Sequence, residues 1–404
     1  MTPSTHPRVV GQLALGAAER RRFTVHGILD RLGRARELAR LDALLFWPSG
    51  DAAVDGTVRG FCRENGVETY LWLPVFADSG FDPDPEDLVE DAWGGRGADA
   101  AGAWPGLGRG GEAFLFACPS ARRHLDAVRA RMNGELPLYD GAFLDRIRYP
   151  SPANGFGELF TCFCPRCRER EPEMTVWREN ARDLRGRLGS ASDADMERWA
   201  SLHALFADFD LEDFLRFRVA ALFEAVRGVA GQAREMGKRV ALDLFTPRLA
   251  ALVGQDYSLL CSFADWVKPM SYCFARGPAG IPLELACLAR GLVASGNFSP
   301  RVVMEYLRRA FAIPELPDDP GQLERGSLPP ALAGDERRRA ERMTTVPVLP
   351  GFECVRHPDF DFDMRAEDVR GYVDALGGAP GMAMAWNLLY TPDEFLEIVA
   401  GGRP

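Results

Sequence analysis

The 404-residue sequence lacks both a long apolar run and an excess of basic residues. No stretch reaches the roughly 18 apolar residues that a membrane-spanning helix needs, so no membrane span is expected. The formal net charge is −10, which leaves no domain-wide basic face to release counterions from a nucleic-acid backbone. We therefore expect neither a membrane protein nor a nucleic-acid-binding protein, and a neutral or cationic partner fits this charge better.

The sequence also lacks a clear export signal and a disulfide framework. Its N-terminal segment has no basic region ahead of a short apolar run at 9–18. Six of the nine cysteines are scattered singly, namely Cys62, Cys118, Cys261, Cys273, Cys287 and Cys354. An odd, dispersed set of cysteines without an export signal indicates reduced thiols, so the sequence predicts a cytoplasmic protein.

Several motifs of catalytic chemistry are missing as well. No His/Glu set has the spacing of a catalytic zinc site, and no G-x-S-x-G nucleophile elbow occurs. The glycine-rich stretch GLGRGG at 106–111 precedes a strand-like run, whereas a phosphate-binding turn would follow one. A deacetylase or another non-glycosidic hydrolase stays open as an alternative, although it would lack an open metal site.

What the sequence does contain is a regular alternation of short apolar runs with longer amphipathic segments. Eight strand-like runs occupy 23–28, 42–48, 68–75, 141–150, 239–247, 265–273, 346–355 and 381–389. Several are apolar almost throughout, as expected for parallel strands that are covered on both faces. Eight strand–helix units predict an α/β fold, a single (β/α)8 TIM barrel spanning residues 1–404, with an open doubly wound sheet as the alternative.

Three long insertions interrupt this alternation, at 77–112, 155–212 and 297–343. The first is rich in Gly, Asp and Pro, the second holds a cysteine cluster and a helical extension, and the third contains the basic run ERRRAER. We expect all three to follow the C-terminal ends of strands, the face on which barrel enzymes build their active sites. Long loops at that face more often form functional lids than disordered segments.

The cysteine cluster places Cys162, Cys164 and Cys167 within six residues. A tight loop with three thiolates can wrap one ion, and a structural zinc site needs a fourth ligand. Cys118, 44 residues before Cys162, is the best candidate. Such a site would be structural, because four thiolates leave no position open for substrate. Ordinary buried thiols, a redox pair and a redox or zinc sensor are the alternatives.

This arrangement resembles the zinc site of the family 42 glycoside hydrolases, the barrel β-galactosidases. Their site combines one upstream Cys with a later C-x-C-x-x-C, and the upstream Cys precedes a helix start similar to CPSARRH at 118–124. The resemblance implies a structural Zn²⁺ held by Cys118, Cys162, Cys164 and Cys167. It also implies a possible homo-oligomer, since members of that family are often trimers.

Three acidic residues are expected at strand ends: Asp145 on the fourth strand, Asp243 on the fifth and Glu353 on the seventh. Glycoside hydrolysis commonly uses two carboxylates, one of them protonated to assist the leaving group. We expect the fourth and seventh strands to face each other, with Asp145 as proton donor and Glu353 as nucleophile or base. Asp243 is then an electrostatic partner or a substitute. A salt bridge from Asp145 to Arg146 or Arg148 is the non-catalytic alternative.

A second resemblance concerns the fourth strand itself. Family 42 enzymes end that strand with Asn-Glu, whereas this chain has Leu144-Asp145-Arg146. The stretch DRIRYP at 145–150 resembles the D-x-I-R-Y-P signature of the family-10-like glycoside hydrolases. Further segments similar to that group are GQDY (254–257), KPMSY (268–272), LPGFE (349–353) and GMAMAWNLL (381–389). This resemblance spans roughly residues 40–400 and implies a TIM-barrel glycoside hydrolase.

Several polar and aromatic residues near these strand ends are candidates for substrate binding. Arg148 and Tyr149 are expected to orient Asp145, because an arginine stays charged and donates in a fixed fork. Flat rings pack on sugar faces, although each ring could equally belong to the barrel core. The ring candidates are Trp47, Trp72 and Trp386, and the polar candidates are Asp256, Tyr272, His26 on the first strand and, more weakly, His357.

Together these features predict a glycoside hydrolase that cleaves a glycosidic bond in an oligosaccharide or glycoside at the barrel mouth. The missing Asn-Glu makes a sugar-binding or regulatory barrel without catalysis the main alternative. Two facing carboxylates in an open cleft would favour the enzyme. A single acid locked between arginines would favour the binding protein.

Overall fold

The structure is a computed structural model that describes residues 8–96, 115–275, 277, 279–358 and 362–401. In chain order its strands are β1 (Val9–Ala14), β2 (Ala43–Trp47), β3 (Glu68–Pro74), β4 (Gly141–Asp145), β5 (Arg239–Phe245), β6 (Trp266–Met270), β7 (Gly351–Glu353), β8 (Arg356–His357), β9 (Phe362–Asp363) and β10 (Met382–Ala385). The GLGRGG stretch and the last part of the first insertion lie outside the described residues.

Helices separate these strands and surround the sheet. They are α1 (Ala17–Arg22), α2 (Val25–Ala39), α3 (Ala52–Glu64), α4 (Arg122–Glu135), α5 (Pro165–Arg170), α6 (Met174–Ser190), α7 (Asp193–Arg198), α8 (Leu202–Ala207), α9 (Glu212–Glu235), α10 (Pro247–Ala250), α11 (Tyr257–Leu260), α12 (Ile281–Ser295), α13 (Pro300–Phe311), α14 (Pro320–Arg325), α15 (Ala331–Met343), α16 (Ala366–Ala375) and α17 (Asp393–Gly401). Within the described ranges no helix has both the length and the apolarity that a membrane crossing requires.

Parallel pairing closes the sheet into the predicted eight-stranded barrel, in the order β1-β10-β7-β6-β5-β4-β3-β2. This confirms the (β/α)8 prediction and excludes the open doubly wound sheet. The strands β8 and β9 form a separate antiparallel pair. In the closed order β10 lies opposite β4, and β1 lies opposite β5. The expectation that the seventh strand faces the fourth is therefore wrong, because β7 and β4 are separated by β6 and β5 alone.

Alternate residues of the strands fill the barrel interior. One buried cluster contains Val10, Ala43, Leu45, Tyr70, Phe143, Ala241, Trp266, Leu349 and Ala383. Side chains two positions further along each strand point to the same side of the sheet. That step leads from the apolar cluster to Gln12, Trp47, Trp72, Asp145, Asp243 and Lys268. The barrel core is thus apolar below and carries a layer of polar and aromatic side chains at its C-terminal end.

The first barrel strand is not the predicted one. Residues 23–28 begin helix α2, where the Thr24 side chain caps the N-terminus by accepting a hydrogen bond from the amide of Gly27 at 3.1 Å. Helix α2 buries Ile28 and Leu32 at helical spacing. Strand β1 instead occupies the first part of the weak apolar run at 9–18, and Val10 pairs with both neighbouring strands.

The insertions differ in how they relate to the strands. Segment 77–96 follows β3 and is bridged to Ala117 and Thr161 through Leu88 and Asp91. Segment 155–212 follows β4 and carries helices α5 to α8, as its composition predicted. Segment 297–343 does not follow a strand directly, because helix α12 comes first and helices α13 to α15 make up most of the segment.

Candidate functional site

A cleft of about 380 Å³ opens at the C-terminal ends of the barrel strands. This volume lies within the range of small-molecule sites. Its lining includes the polar layer of the barrel and the residues that follow the strands, among them Gln12, Trp47, Trp72, Asp145, Arg146, Arg148, Asp243, Tyr272, His357, Trp386 and Asn387. The cleft therefore combines three carboxylates, Asp145 and Asp243 at strand ends and Glu19 on α1, with aromatic walls, at the face where barrel enzymes place their chemistry.

Asp145 ends β4 and is oriented by two N–H donors. The indole Nε1 of Trp72 donates to its Oδ2 at 2.7 Å, and the amide of Arg146 donates to its Oδ1. Trp72 is in turn held edge-on against Trp47, with ring centroids 5.5 Å apart. The predicted orienting role of Arg148 thus falls to Trp72 on the neighbouring strand.

Asp243 on β5 forms a buried ion pair with Lys268 on β6. The Lys268 ammonium lies 3.0 Å from both carboxylate oxygens and donates to the Tyr272 hydroxyl at 2.7 Å. Burial raises the pKa of Asp243 to about 7, the ammonium of Lys268 opposes this rise, and Asp145 adds to it. A side chain at Gly351 would leave no room for Lys268, since its Cβ would lie 2.6 Å from Cε.

Arg146 lies at the rim of the cleft, paired with Asp78 and stacked over the ring of Trp47 at 5.7 Å. Burial and the nearby charge of Arg148 lower the pKa of Arg146 to about 9. Arg146 pairs with Asp78, and the hydrogen bonds to Asp145 come from the Trp72 indole and the Arg146 amide.

Arg148 is buried between two aromatic rings and faces the cleft. Its guanidinium lies 4.7 Å from the ring centroid of Phe116 and 4.8 Å from that of Phe245. It donates to the carbonyl of Tyr149 at 3.0 Å, and burial lowers its pKa to about 10. This guanidinium remains charged at neutral pH and supplies positive charge beside the two carboxylates.

The residues after Asp145 are held by a second buried acid, Glu284 on α12. Its carboxylate accepts hydrogen bonds from the Ser151 hydroxyl at 2.9 Å and from the amides of Ala153 and Ala279 at 2.9 and 2.8 Å. Burial raises the pKa of Glu284, an effect that Arg148 opposes. Glu284 thereby fixes the loop after β4 to the loop after β6, and nothing in the sequence reasoning identified it.

Glu353 does not form the predicted pair with Asp145. It is fully buried and does not line the cleft. The amides of Phe274 and Ala275 donate to its Oε1 at 2.9 and 2.6 Å, and the hydroxyl of Tyr372 donates to its Oε2. The loop after β6 folds over the end of β7 and takes up this carboxylate. Burial raises the pKa of Glu353 to about 7.

Three other predicted binding residues lie outside the cleft. His26 is on the exposed face of α2, because residues 23–28 are not a strand. Asp256 caps α11 by accepting a hydrogen bond from the amide of Leu259 at 3.2 Å. Tyr149 is buried against Arg218, whose guanidinium lies 4.5 Å from its ring centroid. Asp256 and Tyr149 are thus committed to capping and packing, and His26 is exposed away from the cleft.

The aromatic candidates do line the cleft. Trp47 and Trp72 form one wall, and Trp386, which follows β10, lies with Tyr272 on the other side at a centroid distance of 6.3 Å. The weakly predicted His357 also lines the cleft, against the ring of Tyr390. Because β10 is opposite β4, a ring-shaped ligand in the cleft would lie between aromatic surfaces and Asp145.

Sequence reasoning missed Gln12 and Lys268 as site residues. Gln12 was missed because the first strand was predicted at 23–28. Val10 and Gln12 nevertheless show the alternate spacing of residues on one face of a barrel strand. Lys268 was noted only as part of the KPMSY segment. Its position two residues after Trp266 on an almost wholly apolar strand is the signal that could have identified it, since a lone lysine there needs a buried acid.

The predicted cysteine cluster is assembled away from the cleft. Cys118, Cys162, Cys164 and Cys167 are fully buried, and their sulfur atoms all lie within 4.8 Å of one another. The Cys118 sulfur is 3.5 Å from that of Cys167 and 3.7 Å from that of Cys164. In a tetrahedral zinc–thiolate site with bonds of about 2.3 Å, neighbouring sulfurs are ~3.8 Å apart. Four sulfurs in this arrangement could hold a metal ion.

The surroundings of the cluster fit an anionic centre. Backbone amides of Glu90 and Ser120 point at the sulfurs of Cys162 and Cys118, at 3.4 and 3.3 Å. Arg218 is 1% exposed, and its Nε and Nη2 have no hydrogen-bond partner among the described residues. A lone guanidinium is rarely buried without a counter-charge. Four thiolates around a divalent ion would supply one.

Comparison with known proteins supports the fold but does not assign the chain to a family. No protein-family model matches the sequence. No curated protein matches it either. The glycoside hydrolase domain of PgaB (BpsB) from Bordetella bronchiseptica is similar in structure, with a TM-score of 0.51 and 11% identity over 95% of this chain and 94% of that one.

Two further solved structures are similar to this chain at lower scores. The spore cortex-lytic enzyme SleL of Bacillus megaterium QM B1551 has a TM-score of 0.46 and 10% identity, over 100% of this chain and 76% of that one. A chitinase from Chromobacterium violaceum ATCC 12472 has a TM-score of 0.45 and 11% identity, over 98% and 99%. At such low identity, the comparison with PgaB supports the TIM-barrel fold alone.

Proposed function

We propose that the protein is a glycoside hydrolase that cleaves an oligosaccharide or glycoside in the cleft at the barrel mouth. The observation that carries this proposal is the presence of two carboxylates, Asp145 and Asp243, on neighbouring strands in one aromatic-walled cleft. Two carboxylates in different environments are the minimal apparatus for protonating a leaving group and stabilising the sugar cation. The PgaB glycoside hydrolase domain, which has a similar fold, is consistent with this activity.

The two acids are assigned different roles. Asp145, which the Trp72 indole and the Arg146 amide hold in place, attacks the anomeric carbon or activates water. Asp243, with its pKa raised to about 7, is the member that carries a proton near neutral pH. Lys268 holds Asp243 in the resting state and releases one oxygen when that oxygen is protonated. The sequence instead predicted Asp145 as proton donor, Glu353 as nucleophile or base and Asp243 as their electrostatic partner or substitute.

Sugar binding rests on the aromatic walls. A pyranose presents C–H groups on its faces, which pack against flat rings. Trp386 lies across the barrel from Asp145, so a ring stacked on Trp386 turns its edge toward that carboxylate. Trp47 and Trp72 are placed to line the neighbouring part of the cleft, beside the carboxylate that Trp72 orients.

A substrate screen with two variants tests the proposal. Purified protein is incubated with a panel of 4-nitrophenyl glycosides and oligosaccharides, beside Asp145→Asn and Asp243→Asn. Each variant is expected to lower kcat/KM by about 10²–10⁴-fold. Asp145→Asn should melt like the wild type, whereas Asp243→Asn should melt at a lower temperature, because it leaves the buried Lys268 ammonium without its counter-charge. The Asp243→Asn loss should shrink on 2,4-dinitrophenyl glycosides, whose leaving group needs no proton, whereas the Asp145→Asn loss should persist. Near-normal rates for Asp145→Asn would reject the assignment, and saturable sugar binding without hydrolysis would favour the non-catalytic barrel.

We also propose that Cys118, Cys162, Cys164 and Cys167 hold a structural Zn²⁺. The sulfur separations, the amide donors and the buried Arg218 support this proposal. When bound, the ion would cross-link the loop after β3 to the loop after β4 and take no part in bond cleavage. Elemental analysis of the purified protein is expected to give one zinc per chain. A chain free of metal that still folds identically would leave the cysteines as ordinary buried thiols.

A further inference from the structure

Gln12 on β1 carries a polar atom that the protein itself does not use. The residue is 3% exposed, and its Oε1 has no hydrogen-bond partner in the part of the chain that the structure describes. Leaving a buried carbonyl unpaired costs free energy, because the group has lost its hydrogen bonds to water. The side chain lines the cleft, so a bound molecule can supply the missing donor.

The position of Gln12 relates it to the proposed chemistry. Strand β1 lies opposite β5, so Gln12 faces the cleft from across the barrel relative to Asp243. Directly beneath it on the same strand, Val10 belongs to the closed apolar core of the barrel. A group that reaches Gln12 therefore enters from the mouth of the cleft and ends there, with no space below it.

Two other polar side chains of the lining form hydrogen bonds within the protein. Asn387 donates to the carbonyl of Ala14 at 2.8 Å and accepts from the amide of Leu389 at 3.2 Å. The hydroxyl of Tyr272 accepts from Lys268 at 2.7 Å. Gln12 differs from these residues, because its acceptor remains available at the closed end of the cleft.

We propose that Gln12 accepts a hydrogen bond from a free hydroxyl of the sugar unit bound in the cleft and so selects the substrate by its configuration at that carbon. This inference rests on the proposed function and names the recognition element of the same site. Because the cleft is closed beneath Gln12, the hydroxyl that reaches it is unsubstituted. The bound unit is therefore a sugar with that position free of any branch or linkage.

The stability of matched variants separates this role from a structural one. Gln12→Met removes an unpaired acceptor, so it is expected to raise the melting temperature, by about 1–3 °C. Gln255 is the matched control, since it is equally buried but accepts from the amide of Phe245 at 2.8 Å and donates to the carbonyl of Ile147 at 3.0 Å. Gln255→Met is expected to lower the melting temperature.

Sugar binding provides the second measurement. D-glucose, D-galactose, D-mannose and N-acetyl-D-glucosamine are titrated into wild type and Gln12→Met, followed by the fluorescence of the tryptophans that line the cleft. The tightest-binding sugar is then replaced by its monodeoxy derivatives. Gln12→Met is expected to weaken that sugar about 10- to 100-fold. One monodeoxy derivative should show the same loss with wild type and no further loss with the variant.

The outcomes of these measurements separate the proposed role of Gln12 from the proposed hydrolase activity. Equal affinity of wild type and Gln12→Met, or destabilisation by Gln12→Met, would overturn the role of Gln12 even if glycosides are hydrolysed. The expected binding pattern without hydrolysis of any glycoside would retain Gln12 and reject the hydrolase. Absence of saturable binding of every sugar to wild type, together with absence of hydrolysis, would overturn both.

Discussion

Lys268 is the residue whose charge controls the pH at which Asp243 gains its proton. It and Lys238 are the two lysines of the sequence, and Lys268 is fully buried with both oxygens of Asp243 at 3.0 Å. Its charge opposes the rise that burial imposes on the pKa of Asp243. The buried ion pair therefore sets where Asp243 gains its proton, and the resting value of about 7 suits a general acid at neutral pH.

Removing that charge should move the pH profile in a defined direction. If Asp243 is the general acid, kcat/KM falls as pH rises through its pKa, near 7 in the wild type. Lys268→Met removes the ammonium that stabilises the ionised form, so the fall should move to higher pH. The measurement is kcat/KM from pH 5 to pH 9, with Lys238→Met as the control. A limb that stays in place would show that Asp243 is not the titrating acid.

A substitution at Glu353 tests whether this acid is structural or belongs to the catalytic pair. Its carboxylate accepts from the amides of Phe274 and Ala275 and from the hydroxyl of Tyr372, all outside the cleft lining. Glu353→Ala leaves these donors unpaired and should destabilise the protein by about 3–5 kcal/mol. At a temperature where the variant remains folded, kcat/KM should stay within about tenfold of the wild type. A loss comparable with that of Asp145→Asn would return Glu353 to the catalytic pair.

At the scale of secondary-structure elements, the later strands were predictable and the first strand was not. Runs such as 68–75 and 239–247 are apolar on both faces and end close to the observed strands Glu68–Pro74 and Arg239–Phe245. FTVHGI at 23–28 has strand-like composition, but Thr24 caps a helix there. The composition of six residues does not distinguish a capped helix from a strand. A helix is stabilised by burying one face, and that burial depends on residues further along the chain.

The sequence reveals a site residue only where the strand that carries it is predicted correctly. Once a strand is placed correctly, a step of two from the barrel core reaches the cleft, and this places Asp145, Asp243 and Trp72. Glu353 also ends a strand, yet the loop after β6 covers it. Such coverage depends on the path of a loop in space, which the spacing of residues along the chain does not encode.

The four-cysteine cluster joins two loop elements, and loss of the proposed ion should loosen those elements before it affects the barrel. Cys118 follows segment 77–96, and the other three cysteines lie in the loop after β4. Glu90 adds ion pairs to Arg168 and Arg178 at 3.4 and 2.9 Å, so the two segments keep partial contact without the ion. Arg218 would offset part of the net charge of about −2 on a zinc tetrathiolate.

Cys164→Ser is therefore expected to lose the metal and to expose segment 155–212 to proteolysis, because three thiolates hold zinc more weakly than four. The barrel should keep its far-ultraviolet circular dichroism. Arg218→Met should retain the four ligands but release zinc to a chelator faster, whereas Arg218→Lys should fall between this variant and the wild type. The scattered Cys62→Ser is the control for a cysteine outside the cluster. Unchanged zinc content in Cys164→Ser would exclude the proposed ligand set.

For the whole molecule, the buried acids make stability depend on pH. Burial raises the pKa values of Asp243 and Glu353 to about 7, far above those of acids in an unfolded chain. Between about pH 4 and pH 7 the folded protein therefore binds more protons than the unfolded chain, and its free energy of unfolding falls as pH rises. Each acid contributes about 1.4 kcal/mol per pH unit in that range. His124, whose pKa burial lowers, acts in the opposite direction below about pH 6.5.

Urea titrations should accordingly give a higher free energy of unfolding at pH 5.5 than at pH 7.5, because two acids outweigh one histidine. The double variant Asp243→Asn with Glu353→Gln removes both carboxyl protons and keeps the side-chain shapes. Its stability should no longer fall between pH 5.5 and pH 7.5, because both raised carboxyl pKa values are gone, while the pKa shifts of Glu284 and His124 act in opposite directions. A wild type that becomes steadily more stable from pH 5.5 to pH 7.5 would show that these carboxyls stay ionised in the folded protein, which would also remove the proton from the proposed acid of the cleft.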